Sequence, residues 1–227
     1  MWNRKLRLEK WEWEKKYWKP ADVALHNRPE DCWVSFNGIV MDLTPLVQEY
    51  RNRPEILPLL AEAGKDISHW FDIDGKLRTF THPVLGTKVP YLPHGPIPHL
   101  HDYNLPTTAW EPEPLNSWWR DPKYVIGKLT KSARPVRIYN NLTKMEITLT
   151  VCAEETINQI LERYLPYNQK ARSYLWKYEG NVLDMNKTLE ENGIRDRKAE
   201  LRRLGIPEDI YIPAIKLYFK DDFNFTT

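Results

Sequence analysis

Glycine is scarce in this chain: nine in 227 residues, against 18 prolines. No Gly-x-Gly-x-x-Gly or Gly-x-x-x-x-Gly-Lys pattern occurs, so the phosphate-cradling loops of nucleotide enzymes are excluded. A Gly-x-Ser-x-Gly nucleophile elbow is absent as well, and no serine or cysteine is set up for triad chemistry. Cysteine is rarer still. Cys32 and Cys152 are the only two, far apart and without a Cys-x-x-Cys neighbour, which excludes a disulfide framework and a thiolate zinc site. That usage suits a reducing compartment, with both read as ordinary buried or half-buried thiols.

Neither sign of charge is in excess. Lys and Arg number 33 and Asp and Glu 31, for a formal charge of +2, and the signs are interspersed. No long-range basic field follows, which argues against nucleic-acid and anionic-membrane partners. No run approaches the ~18–20 apolar residues of a membrane-spanning helix. The first ten residues are charged throughout and lack the apolar block of a secretory signal. The expectation is a cytosolic protein, or one built into a cytosolic structure. Hydrophobic residues at 41% and charged residues at 28% fit a globular chain of one or two small domains, not a disordered one.

What the chain has in plenty is proline and tryptophan, the latter ten times. The prolines concentrate between Pro83 and Pro122, where runs such as Pro90-Tyr-Leu-Pro-His-Gly-Pro-Ile-Pro cannot form helix or central strand. The same stretch carries Trp110, Trp118 and Trp119, and flexible linkers lack aromatics. It reads as an extended strap that packs on its own domains or on another protein. Trp118, Trp119 and Arg120 set three side chains of the kind enriched in interface hot spots side by side. Trp110, Trp118, Trp119 and Arg120 are therefore the candidate partner-binding residues.

Downstream of the strap the periodicities are clean. Val136–Tyr139 and Met145–Val151 alternate apolar and polar residues around Asn140-Asn141, a hairpin pattern. Ile157, Ile160, Leu161, Tyr164 and Leu165 share one helical face, and Pro166 stops that helix. Strand patterns follow at Tyr174–Tyr178 and from Ala214 onward, with a charge-rich insertion at Arg195–Arg203 read as a solvated helix. Strand, strand, helix, strand, strand is the order of a β-grasp. Upstream, Pro54 suits a first helical position, whereas Pro58 would end or distort a long helix.

From Ser173 to Ile194 the sequence resembles the ubiquitin family: a strand, a glycine turn at Gly180, then Leu183, Leu189 and Ile194 at core positions. The likeness spans about 134–221. The chain ends in Thr226-Thr227 without a terminal Gly-Gly, so the resemblance implies a fold used for contact, with no conjugation through the C-terminus.

The N-terminal half resembles cytochrome b5 domains. Tyr17-Trp18 leads into Val23-Ala-Leu-His-Asn, Asp31-Cys-Trp-Val opens the next strand, and Gly38-Ile-Val-Met-Asp-Leu-Thr continues it. Ala63-Gly-Lys-Asp-Ile-Ser-His-Trp-Phe matches the segment after that family's haem loop. The resemblance implies haem b held between two histidines. The first ligand's place falls at Asn52, in Tyr50-Arg-Asn-Arg-Pro, and so lacks its histidine. The second falls near Lys76. His82, in Thr81-His-Pro-Val-Leu-Gly, is the candidate axial ligand to the iron, with His69 the second choice. His26 matches a structural histidine, and His94, His99 and His101 lie in a Pro-rich loop without structural-zinc spacing.

The whole chain resembles a family of ciliary proteins that joins these two domains. The fold class expected is α+β. The expected division is a charged extension 1–16, a cytochrome b5-like domain 17–89, a strap 90–133, a ubiquitin-like domain 134–221 and a tail 222–227. The resemblance implies a non-enzymatic component of the motile-cilium axoneme, associated with radial-spoke proteins and helping to control beating by docking. A haem-binding redox sensor or electron carrier at the same location is the alternative.

Overall fold

A computed structural model describes residues 16–84, 86–100, 117–207 and 210–219. The chain divides into two compact units, Met1–Leu129 and Thr130–Thr227.

In the first unit, strand β1 (Tyr17–Trp18) runs into the short helix α1 (Pro20–Ala24). Proline at the first helical position needs no partner for its missing N–H. Strands β2 (Asn27–Arg28), β3 (Asp31–Phe36) and β4 (Ile39–Asp42) follow. The β3–β4 turn is Asn37-Gly38, both at positive φ (47° and 77°), the conformation a two-residue hairpin loop demands. Asp42 accepts the Thr44 N–H at 2.9 Å and starts helix α2 (Thr44–Glu49). Pro54 opens a single 3₁₀ turn (Pro54–Ile56), and Pro58 falls in the first turn of the next helix, α3 (Leu57–Ala61), where its missing N–H has no intrahelical partner to lose.

Strands β5 (Thr79–Thr81) and β6 (Lys88–Pro90) pair with each other. Strand β7 (Val125–Leu129) completes a five-stranded sheet of order β1-β7-β4-β3-β2. Gly127 lets β1 come this close: a Cβ there would stand 2.7 Å from both the Lys16 carbonyl oxygen and Trp18 Nε1.

This arrangement corrects the strap in two respects. Its last part is not a connector, because β7 lies inside the first sheet and the units divide after Leu129. Nor are Trp118 and Trp119 displayed to a partner. They are 0% and 4% exposed and join Ile97, Phe71 and Leu77 in the first core. Their rings meet edge-on at 5.4 Å, and Phe71 lies 6.5 and 5.8 Å from them. Burying two large aromatic side chains within the domain is favourable. Arg120 is exposed, and Trp110 lies outside the described residues.

Cys32 and Cys152 are free and buried. Burial, reinforced by Asp42 and Asp31, pushes the Cys32 thiol up to about 12. Since the thiolate is the nucleophile, iodoacetamide at pH 8 should leave Cys32 unmodified in the native protein and label it in urea. Native labelling at the unfolded rate would overturn this.

The second unit opens with the hairpin of β8 (Ala133–Asn140) and β9 (Glu146–Cys152). Helix α4 (Ile157–Tyr164) follows, capped by Thr156 and Gln159 in a reciprocal capping box. Strands β10 (Tyr174–Tyr178) and β11 (Asn181–Val182) are joined by Glu179-Gly180, both at positive φ. Strand β12 (Ala214–Phe219) then enters the middle of the sheet, parallel to β8 and antiparallel to β10. The order β11-β10-β12-β8-β9, with its central parallel pair, is the β-grasp. Leu183, Leu189 and Ile194 are all buried in the core between sheet and helix. The charged insertion contributes helix α5 (Lys198–Arg203), which buries no residue. Residues 220–227, including the tail, lie outside the described residues.

Candidate functional site

Helix α2 ends at Glu49, and the chain reverses through Tyr50–Arg53 before the next turn begins. Asn52 takes a left-handed conformation there (φ 74°), which asparagine tolerates better than most side chains. Beside it opens a groove of about 620 Å³ between the end of α2 and the start of α3. Val47, Ile56 and Leu60 supply apolar wall, and Arg51, Asn52 and Arg53 supply polar rim. Arg53 also lies over the Tyr50 ring, 5.2 Å from its centroid. The first haem ligand's place thus borders a real groove, but the residue there is Asn52, with Arg51 and Arg53 as its sequence neighbours.

The second ligand's place fares no better. Lys76 closes a tight turn in which the Asp72 N–H donates to the Lys76 carbonyl at 2.8 Å. The Lys76 N–H in turn donates to Asp72 Oδ1 at 2.8 Å. His82 sits in the loop between β5 and β6, half-buried, its Nδ1 accepting the Val84 N–H at 3.3 Å. His69 is exposed, 6.5 Å from the His94 ring and 6.1 Å from the Trp70 ring. His26 stacks on Trp33 at 3.5 Å and bonds Asp31 through Nδ1 at 2.6 Å, a structural arrangement.

Among the described residues no histidine lines the groove, and no cluster of three His, Cys, Asp or Glu side chains could hold a metal. The bis-histidine haem that the resemblance implies needs two imidazoles facing each other across one pocket. Asn52, at the first ligand's place by the resemblance, supplies no imidazole, and His82, the candidate for the second, does not line the groove. The resemblance implied a pocket between the helices of this domain, at Asn52. A local signal for it was Arg51-Asn-Arg-Pro, a polar turn directly after an apolar helix.

A hairpin-built sheet with short helices, followed by a β-grasp, defines the class: a cytochrome b5-like domain in tandem with a β-grasp one. Residues 19–75 match the family model described as "Cytochrome b5-like Heme/Steroid binding domain". "Cytochrome b5 domain-containing protein 1" of Homo sapiens is 46% identical over 93% of this chain and 92% of its own. The protein of that name from Xenopus laevis is 43% identical over 92% and 96%. The chain belongs to the cytochrome b5 domain-containing protein 1 family. "L-lactate dehydrogenase (cytochrome)" of Saccharomyces cerevisiae is 42% identical, but over only 23% of this chain and 9% of its own; the likeness to that enzyme stops at the one domain. A solved ubl5 domain from the polyubiquitin locus of T. thermophila aligns with 39% of this chain and 95% of its own, at TM-score 0.28 and 18% identity.

Proposed function

We propose that this protein is a non-catalytic component of the motile-cilium axoneme, associated with radial-spoke proteins, and that it helps to control beating by protein–protein docking. The observation that carries this reading is the exchange at the haem site. By the resemblance, Asn52 stands where the first histidine would and the second place falls near Lys76, with His82 beyond it, while the surrounding domain keeps a packed core of its own. A redox fold without its ligand pair retains its surface as its useful property. The relatives, named as domain-containing proteins, support the same reading, since their likeness runs over more than nine-tenths of both chains. The docking surface of the first domain centres on Leu57, which is 61% exposed, and on Arg51 and Arg53 beside it.

Quantitative proteomics on demembranated axonemes tests the location: the protein should remain after detergent extraction and fall in axonemes that lack radial spokes. Equal amounts with and without spokes would exclude the association. Leu57→Asp should deplete the axonemal pool several-fold with the melting temperature nearly unchanged, because the side chain is exposed and the groove apolar.

The second reading, a haem-binding redox sensor or electron carrier, has the family description and the apolar wall of the groove in its favour. Visible absorption after haem reconstitution separates the two. A sharp Soret band that shifts on reduction and is lost in His82→Ala would establish haem and replace the docking reading of the first domain.

A further inference from the structure

Strand β8 alternates buried and half-buried residues, and the buried register is Arg134, Val136, Ile138 and Asn140. An arginine therefore occupies a core-facing position and is only 3% exposed. Its Nη2 donates to the Ile194 carbonyl at 2.9 Å. Its Nε lies 3.9 Å from Asp196 Oδ2, an ion pair at the limit of contact. That carboxylate is occupied elsewhere: Oδ1 accepts the Lys198 N–H at 3.0 Å and Oδ2 the Ser132 hydroxyl at 3.4 Å. Arg134 Nη1 is buried without a hydrogen-bond partner. A buried cationic donor left unmet is costly, more so than a neutral one.

The remaining surroundings are cationic. Arg134 lines a small pocket with Arg195, Arg197 and Lys198, closed on its other side by Leu201 and Tyr211. Arg195 and Arg197 are exposed, and Arg197 rests over the Tyr211 ring at 5.5 Å. Lys198 Nζ donates to the Ala133 carbonyl at 2.5 Å, which holds its charge at the pocket. Four cations thus face a single carboxylate, Asp196. The space between them is about 20 Å³, room for one oxygen-sized atom. The charged insertion, which buries no side chain of α5, ties its N-terminal end to this pocket.

We propose that this pocket is an anion-recognition site for a dianionic tetrahedral oxyanion, the phosphoryl group, either as free phosphate or on a phosphorylated side chain. One oxygen enters and accepts from Arg134 Nη1. The others stay at the mouth, where the guanidinium forks of Arg195 and Arg197 reach them as charge-assisted donors. Two negative charges offset most of the local excess, which a monoanionic carboxylate would not.

Titration of the full-length protein with inorganic phosphate at constant ionic strength, followed by NMR, tests this. Saturable shifts are expected at the Arg134 side-chain Nε–H and at the amides of Ile194–Lys198. The double variant Arg195→Gln/Arg197→Gln, altered only at exposed side chains, should bind about tenfold more weakly or worse. Arg203→Gln removes a charge outside the pocket and should leave the affinity as it was. No saturable response, or equal affinity in the double variant, would mean that Nη1 is met by water alone and would overturn the proposal. A phosphoserine peptide that binds at least tenfold tighter than phosphate assigns the site to a phosphorylated partner. Equal or weaker binding assigns it to the free anion. A response to the unphosphorylated peptide that matches or exceeds both would overturn it.

Discussion

Trp118→Ala should destabilise the first unit by about 3–5 kcal/mol, the range for deleting a large aromatic from a packed core. The side chain is fully buried, and its ring packs on Trp119 and Phe71. Removing it leaves a cavity bounded by two rigid rings and the sheet, which cannot collapse far. Trp118→Phe separates this account from a polar one. The indole N–H of Trp118 has no hydrogen-bond partner among the described residues, so phenylalanine forfeits no bond and should cost far less than alanine. Hydrogen exchange of the β3 and β4 amides in the full chain reports the loss where it arises. Unchanged protection in Trp118→Ala would mean that the tryptophan is peripheral to the core. Protection retained while the protein leaves its assembly would restore the view of Trp118 as a docking residue.

The strap shows where sequence reasoning stops. That tryptophans in a Pro-rich run must bury was legible from their apolar area. Which surface they bury against was not, because nothing local in Trp118-Trp119-Arg120 encodes a contact with Phe71, 47 and 48 residues upstream. The same limit hid β7. A five-residue strand between β1 and β4 carries no period-2 signal, since Val125, Ile126, Lys128 and Leu129 are all half-buried and only Gly127, at its centre, is buried and signals close approach. The β-grasp was legible because its cues are local: alternation in β8 and β9, a 3.6-residue period in α4, and a glycine turn before β11. At the haem place, the resemblance to cytochrome b5 domains put Asn52 where that family carries histidine. The lining of the groove beside it, and the buried charge of Arg134, depend on non-local packing and required coordinates.

Ile160→Ala should cost the second unit about 2–4 kcal/mol, within the range for removing a large aliphatic side chain from a core. Ile160 is 0% exposed and sits midway along α4, flanked on the same face by Ile157, Leu161 and Tyr164. Opposite this face the sheet offers Val136, Ile138, Ile215 and Leu217, all fully buried. Both sides of the contact are held by regular hydrogen-bonded structure, so the helix cannot sink to fill the gap, and the cavity term adds to the lost transfer energy. Ile160→Val removes one methylene and should cost only about 0.5–1.5 kcal/mol. The two cores share no residue, so the loss should fall on β8–β12 amides and leave β3 and β4 protection intact, as independent sites require. Exchange measured on one full-length sample reads both. A cost below about 1 kcal/mol for alanine would show that the α4–sheet contact yields on truncation, and equal loss in both units would show that they unfold as one.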